Sequence, residues 1–110
     1  MHELSITQSM IEICEQNAGG KPVLAVIVEI GLLSGVVPEA VEFCFESCSR
    51  DTLLDGARLL IEQIPGQGRC NDCNSAFPLE TLYDPCNACG SHRIMITAGN
   101  ELRVKELEVA

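Results

Sequence analysis

The spacing of apolar side chains predicts two helices. Within residues 4–18, apolar side chains recur at intervals of three and four, as on one face of an amphipathic helix: Ile6, Met10, Ile13 and Cys14. Ser5 and Gln8 have the spacing of a capping box, so this helix is expected to start close to the amino terminus. A second helix is predicted from Pro38, because proline is favoured at the first helical position. Its predicted apolar face carries Val37, Val41, Cys44, Phe45 and Cys48.

Three other stretches have the composition or the alternation of β-strands. Residues 23–30 are dense in β-branched side chains and apolar on both faces, which is typical of a well-buried strand. Residues 57–64 alternate between apolar and charged side chains. Residues 102–109 alternate with one change of phase, as at a β-bulge. Between the last two stretches, residues 65–68 (Pro-Gly-Gln-Gly) predict a break in regular structure and a hinge.

Four cysteines lie in two CxxC pairs after this break. Twelve residues separate the pairs, and each pair is surrounded by the turn-forming residues Asn, Asp and Gly. Four thiolates presented by two tight turns suit the tetrahedral, all-sulfur coordination of structural Zn²⁺ sites. The predicted zinc ligands are Cys70, Cys73, Cys86 and Cys89.

Two other roles for these cysteines are less favoured. A redox-active CxxC pair would open a helix in a βαβ pattern, and neither pair does. A disulfide framework needs an oxidising compartment, and it fits poorly with seven cysteines, an odd number, of which three lie in predicted helices. One histidine, His92, follows Cys89 by three residues. It is either a solvated loop histidine or a candidate to exchange with a thiolate as a zinc ligand at lower pH.

This order of elements predicts an α+β fold, with two helices packed on a mainly antiparallel three-stranded sheet and an inserted zinc-ribbon-like module. The α+β domain is predicted to comprise residues 1–66 and 94–110, and the zinc module residues 67–93. A length of 110 residues, of which 46% are hydrophobic, suits one small domain with a packed core.

Charge and motif content exclude several classes of function. The chain has 16 acidic and 7 basic side chains and a net charge of −9, which disfavours binding to nucleic acid. No signal-peptide pattern and no apolar stretch of about 20 residues occurs, so a soluble cytoplasmic protein without a membrane partner is expected. No catalytic triad, phosphate-binding glycine-rich loop or pair of catalytic carboxylates is recognisable, and we predict that the protein is not an enzyme.

The first three residues offer the donor atoms of a second metal site. We expect Met1 to be retained, because its removal favours a small second residue and His2 is large, so the α-amine stays free. That amine, the following backbone nitrogens and the His2 imidazole can close fused chelate rings around Ni(II) or Cu(II), which prefer nitrogen-rich square-planar sets. Glu3 offers an additional oxygen. By chemistry alone, however, such a tripeptide is also common by chance.

Taken together, five motifs along nearly the whole chain resemble the HypA/HybF family of hydrogenase nickel-incorporation proteins. They occur in the family's order: Met-His-Glu-Leu-Ser at the start, Glu29-Ile30-Gly31, Phe43-x-Phe45-Glu46, the two CxxC pairs, and Gly99-Asn100-Glu101-Leu102. The resemblance implies a nickel metallochaperone with two separate sites. They are a Ni²⁺ site at Met1, His2 and Glu3, and a structural Zn²⁺ site at Cys70, Cys73, Cys86 and Cys89.

The resemblance also implies partners, namely the nickel-handling GTPase HypB and the precursor of the [NiFe]-hydrogenase large subunit, and it is compatible with a homodimer. Residues 1–66 and 94–110 would then form the nickel-binding domain. The competing interpretation is a zinc-ribbon adaptor that binds proteins without nickel transfer. In that case, the amino-terminal tripeptide has no role, and nickel binding that depends on His2 would distinguish the two interpretations.

Overall fold

The computed structural model describes residues 2–110, which form two helices and six strands. The helices are α1 (Glu3–Asn17) and α2 (Pro38–Ser49). One three-stranded sheet contains β1 (Val23–Gly31), β2 (Arg58–Ile64) and β6 (Leu102–Val109), in the order β2-β1-β6. A second three-stranded sheet contains β3 (Gly66–Cys70), β4 (Ala76–Leu79) and β5 (Ile94–Ala98), in the order β4-β3-β5.

The first sheet is mixed in strand direction. The backbone N–H of Ala110 donates to the carbonyl of Pro22 at 3.0 Å, so the end of β6 lies beside the start of β1 and these strands are antiparallel. The N–H of Leu32 donates to the carbonyl of Ile64 at 2.9 Å, so the ends of β1 and β2 lie side by side and these strands are parallel. The α+β class, with two helices, a three-stranded sheet and a zinc-ribbon-like module, is confirmed.

Helix α1 starts earlier than the capping-box pattern predicts. Its N-cap is His2, which makes no side-chain capping bond, and its first backbone bond runs from the Ile6 N–H to the His2 carbonyl at 2.9 Å. The helix therefore begins at Glu3 rather than after Ser5. The backbone N–H groups of its first turn have no carbonyl acceptor within the helix.

The buried face of α1 also differs from the predicted apolar stripe. Ile13, which was expected to face inward, is 47% exposed, whereas the polar side chain of Thr7 is fully buried. The buried positions are spaced by three, four or one residue, as on a single face of a helix. They are Glu3, Thr7, Met10, Ile11 and Cys14.

The chain divides into two compact units. The first contains the residues up to Glu29, Val36–Glu62 and Arg103–Ala110, and the second contains Ile30–Gly35 and Gln63–Leu102. The second unit contains more of the chain than the predicted module of residues 67–93. The reason is that β5 pairs antiparallel with β3 within it.

The predicted break at residues 65–68 is limited to Pro65, because β2 ends at Ile64 and β3 begins at Gly66. The two glycines allow close packing within this sheet. A Cβ atom on Gly66 would clash with the carbonyl oxygen of Leu79, and one on Gly68 would lie 2.7 Å from Cγ2 of Ile94. Glycine is therefore required at both positions by the neighbouring atoms.

Each unit has its own buried core. In the second unit, the buried cluster consists of Leu33, Cys70, Phe77, Leu79 and Cys86, with Ile94 and Ile96 packed against it. In the first, buried side chains of α1, β1 and α2 include Met10, Ile11, Val26, Val28, Val41 and Phe45. None of the helices within residues 2–110 is long and apolar enough to cross a membrane.

Candidate metal centres

The two CxxC pairs bring four sulfur atoms together in the second unit. All four Sγ atoms lie within 4.8 Å of one another. The Sγ atoms of Cys70 and Cys89 are 3.6 Å apart, as are those of Cys73 and Cys86. Ligands at the usual Zn–S distance in a tetrahedron are about 3.8 Å apart, so this spacing fits one zinc ion. Within the described part of the chain, no other group of three or more His, Cys, Asp or Glu side chains is close enough to share a metal.

The two turns that carry these sulfurs have the same backbone hydrogen bonds. In the first turn, the Cys70 carbonyl accepts from the Asn74 N–H at 2.9 Å, and the Cys70 N–H donates to the Ser75 carbonyl at 2.9 Å. The second turn repeats both bonds, at 2.9 and 2.8 Å, with Cys86, Gly90 and Ser91 in the same roles. Two equivalent turns thus face each other with a pair of thiols each.

The equivalence of the two CxxC turns is also visible in the sequence as a short repeat, which the spacing of apolar residues does not reveal. Cys-Asn-Asp-Cys-Asn-Ser and Cys-Asn-Ala-Cys-Gly-Ser are two copies of one six-residue motif. Its fifth residue has a positive φ in both copies, 65° at Asn74 and 75° at Gly90, and Asn and Gly tolerate that conformation best. Its sixth residue is Ser75 or Ser91, and neither serine was predicted to belong to the site.

One ion pair and its neighbours join the two turns. Asp72 in the first turn forms an ion pair with Arg93 at 3.0 Å. The Ser91 hydroxyl in the second turn donates to the other oxygen of the same carboxylate. The Asn71 N–H donates to the Arg93 carbonyl at 2.8 Å. Because these groups are largely exposed, we assign them to the alignment of the turns rather than to a large stabilising energy.

Burial divides the four cysteines into two kinds. Cys70 and Cys86 are 0% and 3% exposed and belong to the apolar cluster of the second unit. Cys73 and Cys89 are exposed. Each buried sulfur also accepts a backbone N–H at 3.4 Å, from Asp72 and Ala88 respectively.

Hydrogen bonds prepare part of the cluster for metal binding. The side chain and the N–H of Ser75, followed by the Cys86 thiol, lower the pKa of Cys73 to about 6. The pKa of Cys70 is also lowered, first by the N–H of Cys73. For Cys89, the Ser91 N–H acts in the same direction, but the Cys70 thiol and burial outweigh it and raise the pKa to about 12. Four thiolates this close repel one another, and a divalent cation would relieve that repulsion.

The structure places His2 and Glu3, but not Met1, which lies outside the described residues. His2 is exposed and immediately precedes α1. Glu3 is the first residue of α1, and its side chain is buried, with Oε2 accepting a hydrogen bond from the Val37 N–H at 3.2 Å. His92, the candidate for exchange in the sulfur cluster, is exposed and is not one of the grouped ligands.

Comparison with known proteins identifies the family. Residues 1–109 match the family model described as "Hydrogenase/urease nickel incorporation, metallochaperone, hypA". The chain belongs to the HypA family. The hydrogenase maturation factors HypA of Geobacter metallireducens and Geotalea uraniireducens are 63% and 66% identical over 109 residues, which are 99% of this chain and of each relative.

Solved structures agree with this assignment. The solution structure of the Ni metallochaperone HypA from Helicobacter pylori matches with a TM-score of 0.72 and 31% identity, covering 99% of this chain and 97% of that one. The predicted HypA/HybF resemblance is therefore confirmed. HypA proteins are metallochaperones and maturation factors for hydrogenase, not enzymes, and the four-cysteine cluster is a metal site whose donor set fits zinc.

The three cysteines outside the cluster lie in the helices. Cys14 on α1 is buried, and burial raises the pKa of its thiol to about 11. Cys44 and Cys48 on α2 are partly buried, and the pKa of Cys48 is raised by burial and then by the proximity of Cys44. The raised pKa values keep the thiols of Cys14 and Cys48 protonated at neutral pH, which makes these two cysteines poor metal ligands.

Replacing Ser75 with alanine should make the cluster release its metal at higher pH. Acid releases zinc by protonating thiolates, and Cys73, whose Sγ lies 3.3 Å from the Ser75 hydroxyl, stays ionised down to about pH 6. This ionisation stabilises the folded site fully above the ordinary thiol pKa, and the stabilisation is lost as the pH falls through the lowered pKa of Cys73, about 6. Without the hydroxyl, we expect the release midpoint to rise by roughly half a pH unit.

A zinc-sensitive dye measures this release during acid titration. Ser47→Ala is the matched control, because Ser47 is an exposed serine on α2. Equal midpoints for Ser75→Ala and Ser47→Ala would show that the Ser75 hydroxyl does not tune the site.

Proposed function

We propose that this protein binds Ni(II) at Met1, His2 and Glu3 and delivers it for the maturation of [NiFe]-hydrogenase, while Cys70, Cys73, Cys86 and Cys89 hold a structural zinc ion. The family assignment supports the general role. The observation that carries the site is the position of His2, an exposed N-cap directly in front of α1.

Helix geometry favours nickel chemistry at this position. The first turn of α1 has backbone N–H groups without a carbonyl acceptor in the helix, since the first such bond is made by Ile6. A backbone nitrogen binds Ni(II) after it loses its proton, and the positive end of the helix dipole stabilises the resulting negative charge. His2 is exposed and directly precedes this turn in the chain. A free α-amine on Met1 would complete a nitrogen-rich set.

The same ligands provide a means of release. An amine, amide nitrogens and an imidazole all exchange metal for protons, so nickel affinity should fall as the pH is lowered. Ligands at a chain end can also be replaced one at a time by those of an acceptor. Transfer by ligand exchange needs no catalytic group.

We propose that the partners are the GTPase HypB and the precursor of the [NiFe]-hydrogenase large subunit. We also propose that the protein acts in the cytoplasm and that it forms a homodimer. The negative charge of the chain, −9, favours partners with basic surfaces and disfavours nucleic acid. The description of the family also includes urease, so nickel delivery to urease is the alternative destination.

Replacing His2 with alanine should weaken nickel binding by at least about tenfold, because the imidazole supplies one nitrogen ligand and closes one chelate ring. The measurement is calorimetric titration of untagged protein with its native amino terminus. The chain has only two histidines, which makes His92→Ala the matched control. That variant should bind nickel within about threefold of the parent protein. Zinc content should be one per chain in all three proteins.

Two results would contradict the proposal. If His2→Ala binds nickel as tightly as the parent protein, the nickel site lies elsewhere. If the parent protein binds no nickel while retaining zinc, the zinc-ribbon adaptor becomes the better account of this chain.

A further inference from the structure

Glu3 occupies an unusual position for a group expected to bind a metal. Its side chain lies on the buried face of α1, in line with Thr7 and Cys14, and the residue is only 7% exposed. Among the described residues, it is the one carboxylate that is buried. A buried carboxylate needs hydrogen-bond partners, because removing it from water is costly.

One partner lies at the start of the second helix. The N–H of Val37, which is 34 residues away in sequence, donates to Oε2 of Glu3 at 3.2 Å. Val37 is the N-cap of α2, and its own carbonyl accepts the first bonds of that helix, from Ala40 at 3.1 Å and Val41 at 3.3 Å. Its side chain cannot cap the helix, since valine has no acceptor. The Glu3 carboxylate thus accepts a hydrogen bond from Val37, the N-cap residue of α2.

The backbone of Glu3 is held as well. The hydroxyl of Thr7, which is fully buried, donates to the Glu3 carbonyl at 2.6 Å. A carboxylate near a helix N-terminus is also favoured by the helix dipole, and this one lies at the first turn of its own helix and against the N-cap of the other. The backbone carbonyl and the side-chain carboxylate of Glu3 are therefore both held by hydrogen bonds within the helix pair.

We propose that the Glu3 carboxylate is a positioning group that ties the start of α1 to the start of α2, and that it stays on the Val37 N–H when nickel is bound. This inference rests on the proposed nickel site and revises the role of Glu3 in it. The residue contributes its backbone to the site, and its side chain fixes where α2 begins relative to the nickel ligands.

A consequence is that nickel loading and the order of the α2 N-terminus are linked. Anything that loosens the bond to Val37 should weaken nickel binding, and nickel should tighten the bond by the same factor, because coupling between two sites is reciprocal. An accepting protein that contacts the first turn of α2 could therefore sense whether nickel is bound.

Two substitutions separate a positioning group from a ligand. Glu3→Gln keeps a side-chain oxygen that can accept from the Val37 N–H, but it removes the carboxylate charge. Glu3→Ala removes both. Glu12→Gln is the matched control, because Glu12 is an exposed glutamate on the same helix. All variants are full-length, with the native amino terminus.

Three quantities are measured: the hydrogen exchange rate of the Val37 amide by NMR, the nickel dissociation constant by calorimetry, and the visible absorption spectrum of bound Ni(II). In Glu3→Ala, we expect Val37 to exchange at least about tenfold faster and nickel binding to weaken by roughly threefold to tenfold. In Glu3→Gln, both should stay within about threefold of the parent protein, and the nickel spectrum should be unchanged. In the parent protein, nickel should slow Val37 exchange.

The proposal fails if Glu3→Gln weakens nickel binding as much as Glu3→Ala and alters the nickel spectrum, since the carboxylate would then be a ligand. It also fails if nickel speeds Val37 exchange in the parent protein. If Glu3→Ala does not fold, Glu3→Gln and the parent protein still decide the question. Absence of nickel binding by the parent protein would instead contradict the proposed function, and Val37 exchange without nickel would still test the positioning role.

Discussion

Replacing Cys73 and Cys86 together with serine should remove zinc and unfold the second unit, while the helix pair and its sheet remain folded. The two residues come from different turns, and their sulfurs are 3.6 Å apart, so the double variant breaks the bridge between the turns. Residues 66–70, 76–79 and 94–98 should lose the hydrogen-exchange protection of their strands.

The size of this effect follows from the small core of the second unit. Two of the five buried residues in its cluster, Cys70 and Cys86, are themselves predicted ligands. The remaining apolar side chains are too few to hold three short strands together without a metal or a disulfide. In modules of this kind, zinc binding contributes about 10 to 16 kcal/mol, which is as large as the stability of a whole domain.

Exchange measured by mass spectrometry, together with metal analysis, would test this expectation. Cys44→Ser with Cys48→Ser is the matched control, because it removes two partly buried thiols from α2 and leaves the cluster intact. The control should keep one zinc per chain and the protection of β3 to β5. Retention of zinc by the Cys73 and Cys86 double variant, or an equal loss of protection in both units, would refute a structural zinc site confined to the second unit.

The elements of the first unit could be predicted from local patterns. Strand β1 was expected at residues 23–30 and is found at Val23–Gly31, because a dense run of β-branched residues has few alternatives. Helix α2 begins at Pro38 as predicted, since the fixed φ of proline suits the first turn. Strand β6 spans Leu102–Val109, the stretch whose alternation indicated it.

The sheet of the second unit could not be predicted in this way. Strand β3 reads Gly-Gln-Gly-Arg-Cys, which has almost no intrinsic strand preference. It is a strand because it pairs on both sides, with β4 and with β5, and because its glycines make room for Leu79 and Ile94. Such information lies in contacts between distant residues rather than in a local pattern.

The candidate sites likewise have some features that the local sequence predicts and others that depend on contacts between distant residues. The spacing of the four cysteines was sufficient to predict that their sulfurs lie close enough to share one metal, because two CxxC turns are typical of a four-sulfur site. The contributions of Ser75, Asp72 and Arg93 depend on how the two turns face each other, and only the structure shows this. The buried contact between Glu3 and Val37 likewise needs both helices in place.

Lengthening the amino terminus should impair nickel binding and leave zinc unchanged. Placing Gly-Ser-Gly before Met1 moves the free amine away from His2, so the amine and the imidazole can no longer close adjacent chelate rings through one backbone nitrogen. We expect the nickel dissociation constant to increase at least about 100-fold, which corresponds to about 2.7 kcal/mol of binding free energy. The cysteine cluster lies in the other compact unit, so its metal should be retained.

A single added glycine provides a sharp contrast to the longer extension. It makes His2 the third residue of the chain, so that the new amine, two backbone nitrogens and the imidazole can form a complete square-planar set. Nickel affinity should then be equal to or higher than that of the parent protein. Calorimetry on the three forms, with zinc measured in each, compares them directly. Equal affinities in the parent protein and the Gly-Ser-Gly form would show that the amine of Met1 is not a ligand. If instead the Gly-Ser-Gly form binds nickel weakly and the single-glycine form binds it at least as tightly as the parent protein, the nickel site depends on the spacing between the free amine and the His2 imidazole.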